Sequence, residues 1–473
     1  MRATDVLRSA LMGIVEEMGL NWPAKAVIEP PRDPKHGDLA ANIAMLLARE
    51  AHKNPRELAQ VFVEKLLQRC ADIEKVEVAG PGFINLFLAP SFWASVVLGA
   101  CSNKEYGRTN HGKGAKCVSV DGKEYIDFTA GIGVNCLGFC DDGWVEAVTA
   151  QLKKLQHVSN LFYSEPQVKA ADLLTKRTGL KKVFFGNSGA EANEAAIKTA
   201  RKYGTTQRGV HVNKIISLAN SFHGRTMATI TATGQEKYHK FFTPFLEGFK
   251  YCEANNIEQM KSLVDDDTCA IMMEMVQGEG GVLDLDPDFV KAAEQLCHEH
   301  DLVFIVDEVQ TGIGRTGKLF AYEYFDVTPD IVTFAKGIGG GLPIGGVLFG
   351  EKCCDVLKPG DHGTTYGGNP VACAGAVEVL TRIDDAFLKE VQKKSAYLKD
   401  KLQTLPHVTS VSGLGLMLGV SLEGKEAPDV VKKALEEGLM VLTAKDKVRL
   451  LPPLTITYDE IDQGVEILKK ALS

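Results

Sequence analysis

Leu302-Val303-Phe304-Ile305-Val306-Asp307-Glu308 is the stretch that decides the fold class, because an uninterrupted apolar run ends there in two carboxylates. Such runs are typical of strands buried on both faces, as in a parallel sheet covered by helices. Functional groups in these sheets gather at the carboxyl ends of the strands. Asp307 is therefore a candidate site residue, and an ordinary loop or helix-capping aspartate is the alternative reading of this motif alone.

Other short apolar runs share this pattern and alternate with helical stretches; they lie at 183–185, 215–216, 270–273 and 331–334. The alternation predicts an α/β fold in which helices cover both faces of a mainly parallel sheet. From Ala386 onward helix and strand patterns alternate again, and Thr457 and Glu460 can cap a final helix. We therefore predict a large domain over 115–385 and a small C-terminal α/β domain over 386–473.

The run 183–185 leads through Gly186-Asn187-Ser188-Gly189-Ala190 into a helical pattern over 191–203. Small residues at a strand-to-helix turn allow backbone amides and the helix dipole to meet a phosphate. A helix that is simply capped by Ser188 explains the same residues and is the alternative.

The run 331–334 ends at Ala335-Lys336, and glycines follow over 337–341. A lysine at the mouth of a buried strand can have a lowered pKa and act as a Schiff-base nucleophile. A solvated surface lysine is the common alternative.

Two further patterns are weaker. Gly312, Gly314 and Gly317 have dinucleotide-binding spacing, but they lie several residues past their strand and no clear helix start follows. His298 and His300 form a pair without further ligands in sequence, so we expect no metal site.

Composition excludes several classes of protein. The 473 residues carry a formal net charge of -8 without a basic run, which argues against an obligate nucleic-acid or membrane protein. The longest apolar stretch, 92–101, is far shorter than the roughly 20 residues of a membrane span. Residues 1–20 resemble an amphipathic helix more than a signal peptide. The 11 cysteines are scattered, and we expect a cytoplasmic protein.

Six ordered motifs carry a resemblance that covers about 114–473. They are Asn187-Ser188-Gly189-Ala190-Glu191-Ala192-Asn193, Phe222-His223-Gly224-Arg225-Thr226, Gln277-Gly278-Glu279-Gly280-Gly281, Asp307-Glu308-Val309-Gln310-Thr311-Gly312, Ala335-Lys336-Gly337 and Thr364-Thr365-Tyr366-Gly367-Gly368-Asn369-Pro370. Together they resemble the class III pyridoxal-phosphate aminotransferases, and acetylornithine aminotransferases most of all. The resemblance implies a fold-type-I enzyme with pyridoxal 5'-phosphate as its cofactor.

The resemblance also implies roles within the cofactor pocket. Lys336 carries the cofactor as a Schiff base and moves the catalytic proton, and Asp307 pairs with the pyridine nitrogen. Phe222 and Val309 cover the two faces of the ring. The remaining implied contacts are made by Ser188, Gly189 and Ala190 to the phosphate, Glu308 and Gln310 near the ring, and Thr365 to the phosphate of a neighbouring subunit.

For the substrates, the resemblance implies that Arg225 binds the α-carboxylate with Thr364 nearby. Glu279 and Arg449 resemble an ion pair that opens to admit glutamate or 2-oxoglutarate. The implied reaction is transamination of N2-acetylornithine with 2-oxoglutarate in arginine biosynthesis, by a homodimer. Ornithine, succinylornithine and 4-aminobutyrate remain alternative donors, because the same motifs serve those relatives.

The first 114 residues carry a second resemblance. A helical pattern covers 38–50, with Asp38 as its cap, and a second covers 54–69, with Asn54 as its cap. A strand pattern follows over 83–88. His36-Gly37-Asp38-Leu39-Ala40, Lys53-Asn54-Pro55-Arg56-Glu57-Leu58-Ala59, Val78-Ala79-Gly80-Pro81-Gly82-Phe83-Ile84-Asn85 and Tyr106-Gly107-Arg108 resemble the N-terminal tRNA-contacting domain of arginyl-tRNA synthetases.

The chain is thus expected to be a fusion, joined by a linker at 106–116. Compared with its family, the aminotransferase part is expected to lack a first arm of a few dozen residues, and its substrate binding is in question. The second resemblance implies that residues 1–114 contact tRNA. We expect this contact to be weak, because the charge of the segment is nearly balanced. An impaired aminotransferase that serves as a binding protein is the alternative function.

Overall fold

Two compact units make up the chain, residues 1–109 and 110–473. The computed structural model describes residues 3–23, 25–31, 33–95 and 112–473. The predicted linker up to residue 111, the end of the apolar stretch 92–101, and Tyr106-Gly107-Arg108 lie outside these ranges. The domain limits at 114 and 385 stay predictions.

The first unit contains helices and a four-stranded sheet of order β1-β2-β4-β3. Its helices and strands are the helix Ala3–Glu17, β1 Ile28–Glu29, β2 Leu39–Ala41, the helix Ile43–Leu47, the helix Pro55–Arg69, β3 Ile73–Ala79 and β4 Phe83–Leu88. The side chains of Leu11, Ile14, Phe62 and Leu66 are fully buried and give this unit its own core. The predicted N-terminal helix and the strand at 83–88 are confirmed.

The predicted helix over 38–50 is wrong at both ends. Residues Leu39–Ala41 form β2 and pair with β4, and the helix is confined to Ile43–Leu47. Asp38 does not cap a helix, because its Oδ2 accepts the backbone N–H of Leu88 at 2.8 Å. The strand prevails over the local helical pattern because pairing with β4 satisfies its backbone groups. By contrast, Asn54 caps the helix Pro55–Arg69 as predicted, accepting the N–H of Arg56 at 3.0 Å.

The second unit is built on a seven-stranded sheet of order β10-β9-β11-β14-β15-β16-β8. Its strands are β8 Lys182–Gly186, β9 Lys214–Leu218, β10 Phe249–Cys252, β11 Thr268–Met273, β14 Val303–Asp307, β15 Ile331–Phe334 and β16 Gly345–Phe349. β16 runs antiparallel to its two neighbours, β15 and β8, and the other neighbouring strands of this sheet are parallel to each other. All five apolar runs that we predicted as strands lie in this sheet, as the predicted mainly parallel fold requires.

Helices accompany this sheet along the chain. Their bounds are Asp142–Leu152, Glu165–Thr178, Gly189–Gln207, Met227–Ala232, Glu236–His239, Ile257–Leu263, Pro287–Glu299, Pro370–Arg382 and Asp385–Gln403, with short helical turns at Ala130–Gly133, Ala321–Tyr324 and Lys336–Gly339. The side chains of β11 and β14 are buried along their whole length. Their carboxyl ends are thus fixed by a continuous core.

The remaining strands form smaller sheets. They are β5 Gly112–Lys113, β6 Lys116–Val118, β7 Glu124–Asp127, β12 Val276–Gln277, β13 Leu283–Asp284, β17 Val408–Leu414, β18 Met417–Leu422, β19 Leu439–Met440, β20 Leu442–Ala444 and β21 Lys447–Leu450, with the helices Ala427–Glu436 and Tyr458–Leu472. Thr457 and Glu460 form the predicted capping box of the last helix. None of the helices in the described ranges is long and apolar enough to cross a membrane.

Candidate active site

A cavity of about 420 Å³ opens where the central strands end and the helix Gly189–Gln207 begins. Its lining includes most of the residues that the sequence singled out: Ser188, Gly189, Ala190, Phe222, Arg225, Asp307, Val309, Gln310 and Lys336. These residues come from segments that lie far apart in the chain. The parallel sheet brings them together at one edge, as expected for this fold class.

Lys336 follows β15 by two residues and lines the cavity. Burial lowers the pKa of its amine, while the nearby acids Asp307, Glu279 and Glu274 act in the opposite direction. Its φ of 47° lies in the left-handed region, which is unfavourable for a lysine and is often found at functional sites. The surrounding fold therefore holds an amine with a lowered pKa in a strained backbone position.

The carboxylate of Asp307 is held by three nitrogen atoms. Its Oδ2 accepts the side-chain N–H of Asn193 at 2.7 Å and lies 2.7 Å from Nδ1 of His223. Its Oδ1 accepts the backbone N–H of Val309 at 2.9 Å. Asp307 is only 3% exposed. A carboxylate group is thus fixed at the end of β14, in position to pair with a cationic group in the cavity.

The helix Gly189–Gln207 points its N-terminus at the cavity. Ser188 is its N-cap, as predicted, and its hydroxyl oxygen accepts the N–H of Glu191 at 3.2 Å. The first N–H groups of a helix have no partner within the helix, and they attract anions. A Cβ on Gly189 would lie 2.6 Å from Cγ1 of Val309, so only glycine allows this close approach.

Arg225 stands at the exposed side of the cavity. Its guanidinium carbon lies 4.2 Å from the ring centroid of Tyr238 and 5.5 Å from that of Phe222. The two rings meet edge to face with centroids 5.6 Å apart. Stacking of this kind orients a guanidinium group while leaving its N–H groups available for a carboxylate.

Glu279 and Arg449 form the ion pair that the resemblance implies. Nη1 of Arg449 lies 2.5 Å from Oε1 of Glu279, and the Arg449 side chain is only 4% exposed. The same nitrogen donates to the carbonyl of Gly278 at 3.3 Å and to Oε1 of Gln310 at 3.4 Å. Gln310 lines the cavity, so it connects the ion pair to the cavity.

Five predicted residues are not part of the lining of the first cavity: Glu279 and Arg449 of the ion pair, and Thr364, Thr365 and Glu308. Thr364 and Thr365 line a second cavity of about 620 Å³, and Asn187 borders both cavities. Oγ1 of Thr364 accepts the side-chain N–H of Asn187 at 3.2 Å. The carboxyl group of Glu308 accepts hydrogen bonds from the Thr311 hydroxyl and, at 2.8 Å, from the backbone N–H of Tyr322. Glu308 is not among the residues that line the first cavity.

Sequence reasoning missed Asn193, His223, Glu274 and Tyr238. Asn193 and His223 belong to two of the six motifs, and both side chains contact Asp307. For Asn193 the sequence did contain a signal, because it is a polar residue on the alanine-rich face of the 189–207 helix. Glu274 directly follows the fully buried β11, as Asp307 ends β14. Tyr238 has no such signal, because its role depends on a contact with Arg225.

The alternative motifs do not reach the site. Gly312, Gly314 and Gly317 lie in a series of turns, where the fully buried Arg315 donates to the carbonyl of Leu416 at 3.0 Å. His298 and His300 are exposed at the end of the helix Pro287–Glu299. Across the described ranges, no group of three or more histidine, cysteine or acidic residues is arranged to hold a metal ion.

Comparisons with known families assign both parts of the chain. Residues 102–472 match the family described as aminotransferase class-III, and residues 3–88 match the arginyl tRNA synthetase N terminal domain. An acetylornithine aminotransferase of Haemophilus ducreyi is 52% identical over 366 residues, which are 77% of this chain and 93% of that protein. One from Caldanaerobacter subterraneus is 50% identical over 368 residues, 76% of this chain and 93% of that protein.

Solved structures show the same similarity. The ornithine aminotransferase of Toxoplasma gondii has a TM-score of 0.73 at 32% identity and covers 80% of this chain and 94% of its own. The N-acetylornithine aminotransferase of Stenotrophomonas maltophilia has a TM-score of 0.68 at 36% identity, with 78% and 97% covered.

Proposed function

The chain belongs to the class III aminotransferases, and we propose that it transfers the amino group of N2-acetylornithine to 2-oxoglutarate in arginine biosynthesis. The observation that carries this proposal is the cavity that Lys336 shares with Asp307 and the N-terminus of the 189–207 helix. Acetylornithine aminotransferases that are 42–52% identical support the choice of substrate.

The cavity fits pyridoxal phosphate, which when bound supplies an aldehyde for the amino group and a ring that withdraws electrons. The close approach of Gly189 to Val309 supports this fit: a Cβ at position 189 would lie 2.6 Å from Cγ1 of Val309, so the start of the helix and an apolar side chain meet at the cavity. Ser188, Gly189 and Ala190 would hold the phosphate. The ring would lie between Phe222 and Val309.

Within this site, Asp307 would keep a proton on the ring nitrogen, because its carboxylate is fixed and shielded from water. Gln310 would approach the ring hydroxyl. Lys336 would hold the aldehyde and later move a proton at the α-carbon of the substrate. Burial suits its amine to this task, since a lowered pKa increases the neutral fraction that can accept a proton.

Both substrates would use the same cavity. Arg225 would bind the α-carboxylate, with Thr364 nearby. The paired Arg449 is neutralised by Glu279 and tolerates the uncharged acetyl group of the donor. When Glu279 moves aside, the guanidinium would become available for the second carboxylate of 2-oxoglutarate or glutamate.

A second copy of the chain would complete the site, since Thr365 would reach the phosphate bound to the partner. The surface next to Thr365 is apolar: Leu161, Phe162, Tyr163 and Tyr366 are 86%, 64%, 96% and 63% exposed. Asn160 attaches this surface to the loop that contains Thr364 and Thr365. Its side-chain N–H groups donate to the carbonyls of Thr364 at 3.1 Å and Gly367 at 2.9 Å. Exposed patches of this kind are commonly interfaces.

The cysteines of the described ranges are all free, which supports a cytoplasmic location.

A test of this function compares amino donors with the full-length protein and added pyridoxal phosphate. We expect kcat/KM to be highest for N2-acetylornithine with 2-oxoglutarate, above ornithine, succinylornithine and 4-aminobutyrate. The visible spectrum should show a yellow, lysine-bound cofactor. A cofactor-free protein without turnover would support the alternative of a binding protein, and a tenfold preference for another donor would contradict the substrate.

We propose weak RNA contact for the first unit, on account of a cavity of about 410 Å³ in its sheet. Phe83, 40% exposed, lines it with the nearly buried Asn85 and with His36 and Asn42. An exposed aromatic ring next to amide groups can stack on and hydrogen-bond an unpaired base.

The test is tRNA binding at low and physiological salt. Phe83→Ala should weaken binding several-fold, since stacking contributes about 1–3 kcal/mol per base. Trp93→Ala, at another exposed aromatic of this unit (46%), should not. Equal loss in both variants would argue against this cavity. Arginylation is not expected, because the chain contains neither a His-x-Gly-His nor a Lys-Met-Ser-Lys signature.

A further inference from the structure

Glu274 is a buried acid in the active-site cavity to which the proposed reaction assigns no part. It is 5% exposed and lines the same cavity as Asp307 and Lys336. Met273 pairs with Val306 between β11 and β14, so Glu274 and Asp307 follow paired residues on neighbouring strands. Burial of a second carboxyl group beside Asp307 is costly, and it calls for a function.

The side chain of Glu274 is bonded to the loop that bears Phe222. Its Oε2 accepts the backbone N–H of Phe222 at 3.0 Å. The next residue, His223, donates its N–H to Oγ1 of Thr233 at 2.9 Å, and its carbonyl accepts the side-chain N–H of Asn193 at 2.7 Å. The backbone N–H groups of Phe222 and His223 are thus each held by a separate hydrogen bond.

We propose that Glu274 is a positioning residue that, by accepting the backbone N–H of Phe222, fixes the aromatic wall of the cofactor site. This inference rests on the proposed function, because it takes Phe222 to cover a bound ring. The effect extends to the substrate side, since the ring of Phe222 packs against Tyr238, on which the guanidinium of Arg225 lies.

The surroundings of Glu274 favour its protonated form. Burial, above all, and then the charge of Asp307 raise the pKa of Glu274 well above its usual range, and Glu279 acts in the same direction. Lys336 and the N–H of Phe222 oppose this shift. Asp307 has three nitrogen contacts and Glu274 only one in the described structure, so the surroundings give a negative charge on Glu274 less support. An amide group should therefore serve in its place.

Amide hydrogen exchange at Phe222, measured in the cofactor-free full-length protein, tests the attachment directly. In Glu274→Ala the exchange should become about threefold to tenfold faster, as expected for the loss of one hydrogen bond. In Glu274→Gln it should stay near the parent rate. Glu308→Gln is the matched control: this buried acid faces Thr311 and Tyr322 instead, and Phe222 should be unaffected.

Cofactor affinity supplies a second readout. The Kd for pyridoxal phosphate should rise about tenfold in Glu274→Ala and stay within about threefold of the parent in Glu274→Gln. As pH rises, parent binding should weaken relative to Glu274→Gln, because ionised Glu274 would place a second negative charge beside Asp307.

Two results would overturn the proposal: unchanged exchange and affinity in Glu274→Ala, or equal loss in Glu274→Gln and Glu274→Ala. If Glu274→Ala does not fold, Glu274→Asp gives the same comparison, because its side chain is one methylene shorter. The exchange result does not depend on turnover, so it stands whether or not the chain transaminates N2-acetylornithine.

Discussion

Nδ1 of His223 lies 2.7 Å from Oδ2 of Asp307, and both side chains are almost fully buried. Thirty residues before His223, Asn193 supplies the second contact to the same oxygen. The orientation of Asp307 is therefore set by two side chains that come from a helix and a loop. Replacing either the carboxylate or its supports should have separable effects.

Asp307→Asn should slow the half-reaction with the amino donor by about 10²- to 10⁴-fold, since losing one partner of a buried ion pair costs about 3–5 kcal/mol. The amide keeps the shape of the carboxylate, so the cofactor should still bind. The measurement is stopped-flow absorbance with N2-acetylornithine. A parent-like rate would mean that Asp307 is not the partner of the ring nitrogen.

His223→Ala should be milder, at about tenfold to a hundredfold, because it removes one contact to a charged group and leaves Asn193 in place. The same half-reaction measures it. Combining Asp307→Asn with His223→Ala should add little to the effect of Asp307→Asn alone. Additive losses would indicate that His223 acts independently of Asp307.

Lys336→Ala should abolish transamination while the phosphate site and Phe222 still retain some cofactor. Only the covalent attachment and the proton carrier are lost. Absorbance spectra should lack the lysine-bound form, and equilibrium dialysis should detect the remaining noncovalent binding. Sustained turnover in this variant would sink the assignment of Lys336.

Arg225→Ala and Arg449→Ala should separate the two ends of the substrate. Loss of Arg225 should raise KM for amino donors and keto acids alike, since both carry an α-carboxylate. Loss of Arg449 should mainly impair glutamate and 2-oxoglutarate, because it also frees the charge of Glu279. Steady-state kinetics for each half-reaction distinguish these outcomes, and equal effects on all substrates would contradict the separate roles.

The sequence allowed the strand ends of the site to be predicted, because each is marked locally. Asp307 and Lys336 follow apolar runs that are typical of buried strands, and Ser188 is a recognisable cap at the start of a helix. Asp38 looked equally like a cap, but strand pairing of the residues after it prevailed. Local signals are reliable where no long-range pairing competes with them.

What could not be predicted depends on contacts between distant segments. Asn193 and Asp307 are 114 residues apart in the sequence, and Glu274 and Phe222 are 52 residues apart. The strand β16 was missed because Gly345 and Gly346 are typical of turns, although β16 pairs with both β15 and β8. Such residues acquire their roles only once the sheet order is known.

Glu308 gives a prediction about stability and pH. Burial raises the pKa of its carboxyl group from 4.5 to about 7, against the opposing hydrogen bonds from Thr311 and the backbone. In the unfolded chain the group ionises near 4.5, so between these values the native state binds the proton more tightly. The stability that Glu308 contributes is thus fully present below pH 4.5 and is lost as pH rises to about 7.

Glu308→Gln should remove this dependence, because an amide does not titrate. Relative to the parent protein, the variant should gain about 3 kcal/mol in the free energy of unfolding between pH 4.5 and 7, the equivalent of the shift in pKa. Denaturant melts of both proteins at several pH values measure the difference, in which contributions from other groups cancel. A constant difference across this range would show that Glu308 is ionised in the folded protein, and its contacts with Thr311 and Tyr322 would then have to stabilise a buried charge.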